Sequence, residues 1–236
     1  MPPSSGQMDT LLLWDIDGTI IKGHGAGVRA MERGFERAFG RAGQKCDLGV
    51  VDWAGRTDKW ITRAVLEHFG LPANEANMQR YLDTYMEALA EELANGPGEL
   101  LPGVIELLDT LHAHPRVAQG LLTGNLRQGA QLKLGHYGAW HYFAFGAFAD
   151  DSGVRNELGP HALRRAHEQH GVSFAPERCF IIGDTPHDIE CAGVIGANAI
   201  AVATGTYTLA ELDAHSPTLA LTDLRDPSAF LKTILG

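Results

Sequence analysis

Leu11-Leu12-Leu13-Trp14-Asp15-Ile16-Asp17-Gly18-Thr19 runs four apolar residues into two carboxylates spaced by one and stops at a glycine. An unbroken apolar run of this length, closed by a turn residue, reads as a strand buried on both faces of a parallel sheet. Side chains at i and i+2 of a strand share one side, roughly 6–7 Å apart. The spacing therefore predicts that Asp15 and Asp17 leave the strand's C-terminal end together, where open α/β sheets take their ligands. Two charges at that place are costly to desolvate unless a cation or a substrate group compensates.

Outward from this strand the pattern changes twice. Gly23, Gly25 and Gly27 punctuate a loop whose spacing is not that of a phosphate-cradling motif, so it reads as a hinge. From Val28 the apolar period becomes 3.6, with Met31, Phe35 and Phe39 on one face. Further helices are expected over Thr57–Phe69 and Asn74–Ala94, with no strand between residues 26 and 95. Pro97, Gly98, Pro102 and Gly103 form a second hinge. An insertion bounded by two glycine-rich crossings is how a mobile cap joins a core.

After the second hinge, strands and helices alternate. Helices are expected at 104–112, 126–137, 160–170, 189–195 and 227–235, and strands at 117–122, 143–148, 179–182 and 199–202. Thr208-x-x-Glu211 is a capping-box start for one more short helix. The alternation predicts an α/β fold, a Rossmann-like three-layer core around a parallel sheet. The expected division is a flexible tail at 1–8, a core at 9–22 and 97–236, and a helical cap at 23–96.

Composition narrows the function. The 236 residues, 44% hydrophobic and 20% charged, are those of an ordinary globular protein large enough for two unequal domains. No apolar run approaches the ~20 residues that span a bilayer, and Met1–Gln7 lacks the basic and apolar parts of a signal peptide. Cys46, Cys179 and Cys191 are odd in number with no C-x-x-C, which suits a reducing cytoplasm rather than a disulfide framework or zinc knuckle. A net charge of −10 without a basic stretch argues against nucleic acid as a partner. It also repels anionic small substrates, so a phosphate ester requires a local metal and a few placed cations. A monomer or homodimer with neither membrane nor nucleic acid as partner is expected.

The strand at 179–182 also ends in carboxylates, in Gly183-Asp184-Thr185-Pro186-His187-Asp188. Neighbouring parallel strands would bring Asp15, Asp17, Asp184 and Asp188 to one point, an all-oxygen cluster suited to Mg2+. The strand at 117–122 offers the Thr123 hydroxyl and the amides of Gly124 and Asn125 to phosphoryl oxygens. Metal-assisted phosphoryl transfer follows from these residues.

Asp15-Ile16-Asp17-Gly18-Thr19 resembles the first motif of the haloacid dehalogenase superfamily, Leu122-Thr123-Gly124-Asn125 its second and Gly183-Asp184-x-x-x-Asp188 its fourth. The likeness covers residues 9 to about 225, nearest the phosphoglycolate-phosphatase-like branch with a helical cap. It implies that Asp15 attacks phosphorus and forms an aspartyl-phosphate, splitting a slow hydrolysis into two steps. It implies that Asp17 protonates the leaving alkoxide and then activates water, so it starts protonated, while its backbone carbonyl meets the metal. Asp184 becomes a metal ligand and Asp188 a ligand or a water-mediated support. The implied substrate is a small phosphorylated metabolite, phosphoglycolate-like or a sugar phosphate. A β-phosphoglucomutase-like phosphomutase is the alternative within the family, and a catalytically silent metabolite- or partner-binding protein the alternative outside it.

One motif departs from the pattern. The family's third motif supplies a lysine to the phosphoryl group, yet no lysine lies between Lys133 and Lys232. Arg155, in Gly153-Val154-Arg155-Asn156-Glu157-Leu158, is the best candidate to replace it: arginine keeps the charge and can grip two oxygens, without being sterically equivalent, and a solvated loop residue is the competing reading. Arg164 and Arg165 sit within a helix and are poorer candidates. In Gly55-Arg56-Thr57-Asp58, where family caps carry a specificity loop, Arg56 and Thr57 are candidates for contact with the substrate's distal part; Thr57 or Asp58 as a plain helix cap is the competing reading. His167 and His170 read as surface residues, His187 as a loop former and Trp14 as core.

Overall fold

The computed structural model describes residues 8–40 and 45–236, so the expected tail lies outside the described residues except for Met8. The chain order begins with β1 (Thr10–Trp14), β2 (Ile21–Lys22), α1 (Ala26–Phe39), α2 (Asp58–His68), α3 (Glu75–Asn95) and β3 (Glu99–Leu100). It continues with α4 (Val104–His112), β4 (Val117–Leu122), α5 (Arg127–His136), β5 (Gly146–Ala147), α6 (Leu158–His170) and β6 (Cys179–Gly183). It closes with α7 (Pro186–Val194), β7 (Asn198–Val202), α8 (Leu209–Asp213), β8 (Leu219–Leu221) and α9 (Ser228–Leu235).

Among the described residues the main sheet has six strands in the order β5-β4-β1-β6-β7-β8, all parallel. Placing β1 at its centre explains why Leu11 to Trp14 are apolar on both sides: all four are fully buried. Leu12 and Trp14 pack with α4, α5 and α9 on one face, where Trp14 stacks on Phe230 at 5.7 Å. Leu11 and Leu13 pack with α6 and α7 on the other. These are the three layers that the strand–helix alternation predicts.

Helices α1, α2 and α3 bury a separate hydrophobic cluster centred on Met31, Phe35, Val65, Tyr81 and Tyr85. Helix α1 runs antiparallel to α3 so closely that a side chain at Gly34 would strike the Tyr85 backbone. The Tyr81 hydroxyl donates to Met31 O at 3.1 Å across this contact. On the outer edge Arg29, Arg33 and Arg37 pair with Glu91 and Glu92; such surface pairs add little to stability.

Three features differ from the sequence reading. The strand expected at 143–148 shrinks to Gly146–Ala147, because Trp140–Tyr142 form a 3-10 turn that sends Tyr142 and Phe143 into the core. The two crossings between sheet and helical unit are not bare hinges: β2 and β3 pair antiparallel, Ile21 with Leu100 and Lys22 with Glu99. The edge strand β8 follows the short capped helix at Thr208 and had no periodic signal.

Candidate active site

Because β1 pairs with β4 and β6 in register, Trp14 lies opposite both Leu121 and Ile182. The residues just beyond these strands, Asp15, Thr123 and Asp184, therefore emerge side by side. The Asp15 amide donates to Ile182 O at 2.9 Å and extends the ladder by one residue. Asp15, Asp184 and Asp188 are all buried, and their carboxylate oxygens lie within 4.8 Å of one another. Asp188 is held by a reciprocal cap at the start of α7: its Oδ2 accepts from the Thr185 amide at 3.1 Å and hydroxyl at 2.8 Å. Glycine is required at position 18, where φ is 80° and a side chain would collide with the Asp184 carboxylate.

Arg155 enters this cluster from the turn before α6. Its Nη2 lies 3.3 Å from Asp15 Oδ1 and donates to Asp188 Oδ1, and the residue is 7% exposed. Burial pushes the Asp15 carboxyl up to about 6, with Asp188 and Asp17 adding to the rise and Arg155 and Thr123 opposing it. Burial, then Asp15 and Asp188, hold the Asp184 carboxyl well above the usual range. Three ionised carboxylates against one guanidinium leave an uncompensated double negative charge, and all the donors are oxygens. That set fits one hard divalent cation such as Mg2+. A cation there would favour the ionised carboxylates and so oppose the upward shifts.

Asp17 does not join this cluster through its side chain. The strand ends at Trp14, and Ile16 O then accepts the amides of Thr19, Ile20 and Ile21 in a tight turn. The two-residue alternation stops applying at that turn. The Asp17 side chain is 47% exposed, and its Oδ2 accepts from Lys133 Nζ at 2.6 Å and from Asn125 Nδ2 at 2.9 Å. Asn125 accepts from Lys133 Nζ at 2.6 Å and donates to Thr123 Oγ1 at 2.8 Å. Its side chain thus serves as a spacer between catalytic candidates rather than as a free phosphoryl ligand. Gly124 has no room for a side chain because Arg56 O lies against it, and its carbonyl accepts from the Asp58 amide at 2.7 Å.

Lys133 was not foreseen. It sits on α5 beside Ala130 and Leu134, on the buried face of that helix. A lysine placed in the apolar stripe of an amphipathic helix was the available signal.

The helical unit touches this edge of the sheet through residues 55–58. Thr57 caps α2, accepting from the Trp60 amide at 3.1 Å, and its hydroxyl donates to Gly153 O at 2.7 Å. Asp58 Oδ2 accepts from the Leu126 amide at 2.7 Å. Arg155 Nη1 donates to Gly55 O at 3.2 Å. Burial pushes the Asp58 carboxyl up to about 6, against the pull of Lys133 and the Leu126 hydrogen bond. The Arg56 guanidinium lies 4.7 Å from the Trp60 ring centre and lines a cavity of about 300 Å³. Its walls also include Met31, Trp53 and Ile61, and its floor includes Asp15, Asp17 and Asp184. Both readings of the 55–58 stretch therefore describe it: Thr57 caps and docks, while Arg56 faces the cavity. Arg165 is committed elsewhere, to Asp151 at 2.6 Å. His170 lies against the Phe145 and Phe174 rings, and His187 lies 3.2 Å from Glu190.

Residues 12–193 match the family described as haloacid dehalogenase-like hydrolase. A phosphoglycolate phosphatase of Pseudomonas putida is 25% identical over 229 residues, covering 93% of this chain and 79% of the relative. Among solved structures, CbbY from Rhodobacter sphaeroides in complex with phosphate superposes with a TM-score of 0.74 at 19% identity, covering 93% of this chain and 96% of the other. A hydrolase from Pseudomonas syringae gives a TM-score of 0.72 at 18% identity, covering 96% and 99%. Among the described residues no helix is long and apolar enough to cross a membrane.

Proposed function

The chain belongs to the haloacid dehalogenase-like hydrolase family, and from that premise we propose that it is a Mg2+-dependent phosphatase of a small phosphorylated metabolite. One observation carries the reading: the buried carboxylates Asp15 and Asp184, from two adjacent strand ends, and Asp188, from the first turn of α7, lie within 4.8 Å of one another. Burial of this much charge is costly unless a cation and a charged substrate share it.

Asp15 is the nucleophile: its carboxylate forms a bond to phosphorus as the ester P–O bond breaks, giving an aspartyl-phosphate. Asp17 gives a proton to the departing alkoxide, then takes one from the water that hydrolyses the intermediate. Lys133 and Asn125 both donate to Asp17 Oδ2, so that proton is carried on Oδ1. Arg155 and the Thr123 hydroxyl face the phosphoryl oxygens, and the backbone at Gly124 and Asn125 completes the grip. Asp15, Asp184 and Asp188 would hold Mg2+, which would supply charge neutralisation at the phosphoryl group. Residues 23–96 are the cap: they excludes water from the cavity, and Arg56 contacts the distal part of the substrate. A cytoplasmic location goes with this reading, since Cys46, Cys179 and Cys191 are free and buried.

The test is phosphate release from an aryl phosphate and from a panel of phosphorylated metabolites, with and without Mg2+. Turnover that requires Mg2+, with a preferred metabolite, is the expected result. Isomerised sugar phosphate without free phosphate would mark a mutase. No turnover in folded, metal-loaded protein would leave a binding protein.

A further inference from the structure

Lys133 is a feature of the site that neither the motifs nor the resemblance assigns, and its surroundings are specific. Its side chain is 6% exposed, and a buried ammonium is tolerated only where acceptors compensate it. Two do: Asp17 Oδ2 and Asn125 Oδ1, each at 2.6 Å. Asn125 Nδ2 donates to the same Asp17 oxygen at 2.9 Å. Both donors thus converge on Oδ2, and among the described residues Oδ1 has no hydrogen-bond donor. The arrangement is anchored at depth, since Asn125 is held in turn by the fully buried Thr123. Lys133 also lies beside Gly27 in the first turn of α1 and lines the substrate cavity.

A half-exposed aspartate on a turn has rotamer freedom that an acid catalyst must not have. We propose that Lys133 is a positioning residue that fixes the Asp17 carboxyl by its Oδ2, so that Oδ1 alone is presented to the leaving-group oxygen. Lys133 exchanges no proton and touches no reacting atom; the proton passes from Asp17 Oδ1 to the ester oxygen as the P–O bond breaks. The inference rests on the reading of Asp17 as the acid of a phosphatase.

The test compares esters that need the acid with esters that do not. kcat/KM reports the steps up to alcohol release, so it isolates the first proton transfer from the later hydrolysis. Lys133→Met should lower kcat/KM about 100-fold for an alkyl phosphate. It should lower it less than about threefold for p-nitrophenyl phosphate, whose leaving group departs without a proton. In an Asp17→Asn background Lys133→Met should add nothing, because the group it positions is already gone. Lys133→Arg, which keeps a donor, should recover part of the alkyl-phosphate rate. Equal losses on both esters, or additive effects in the double variant, would overturn the proposal. If the melting curve shows that Lys133→Met does not fold, Asn125→Ala removes the other Oδ2 donor and must give the same ester-dependent pattern or the proposal fails. Wild-type protein that turns over no ester with Mg2+ would instead overturn the phosphatase reading, and this inference with it.

Discussion

On one side of the cavity, Asp15, Thr123 and Asp184 are placed by strand register: each follows a buried strand, and the strands are hydrogen-bonded neighbours. On the other side, residues 55–58 are placed by docking. They belong to a unit with its own hydrophobic cluster and reach the sheet edge through a few polar contacts at Gly124, Leu126, Gly153 and Arg155. The first side cannot shift without disturbing the central strand of the core. The second can separate at the cost of those contacts and of the apolar packing of Met86 and Leu89 against α5, without disturbing the central strand. The contrast assigns chemistry to the sheet edge and access and selectivity to the docked segment.

The largest expected effect lies at the sheet edge. Asp15→Asn should reduce phosphate release at least ~10³-fold while leaving the melting temperature unchanged or higher, because it removes a buried charge from a cluster of three. A residual rate near wild type in a steady-state assay would move the nucleophile elsewhere and dissolve the contrast. Next comes Arg155, which touches both sides, through Asp15, Asp188 and Gly55 O. Arg155→Ala should cost about 100-fold in kcat/KM, and limited proteolysis should reveal a looser helical unit. An unchanged rate would return Arg155 to a structural role.

Two smaller effects probe the docked side alone. Asp58 has a carboxyl pushed from 3.8 to about 6 by burial. Between those values the folded state keeps a proton that the unfolded state has lost. The protonated carboxyl's contribution to stability is thus full below pH 3.8 and is lost as pH rises through 6. Asp58→Asn should therefore stabilise the protein above pH 6.5 by about 2 kcal/mol, after a discount for the amide's weaker hydrogen bonding. It should give no advantage near pH 4. Melting temperatures across this range check the slope, and a flat difference would mean that Asp58 is ionised and paired when docked. Thr57→Val, which removes both the α2 cap and the donor to Gly153 O, should cost about 1 kcal/mol of stability. It should raise KM more than it lowers kcat. An effect on kcat alone would place Thr57 with the chemistry.

The same division explains what the chain made legible. Asp15 and Asp184 were readable because each follows an apolar run whose end marks its position, with Asp188 four residues on in the same acidic stretch, and parallel pairing does the rest. Arg155 was found by elimination, and the structure places it on two of the three carboxylates. Lys133 escaped because helical periodicity shows which face a residue occupies, not what that face meets. Asp17 was expected beside Asp15, but the alternation that justified this ends at Trp14. Phe143 was read as the start of a strand because a short apolar run does not distinguish pairing from packing.

By itself the sequence determined the layered α/β core, the inserted helices and the carboxylates at the strand ends, because these follow from local period and from chain direction. Only the tertiary structure decided that the Asp17 side chain turns from the acidic cluster to Lys133, and that Thr57 and Asp58 lock the helical unit to Gly153 and Leu126. Those contacts join residues 68 to 116 positions apart. Their partners are backbone groups and a single buried ammonium, which carry no spacing along the chain that a reader of the sequence could follow.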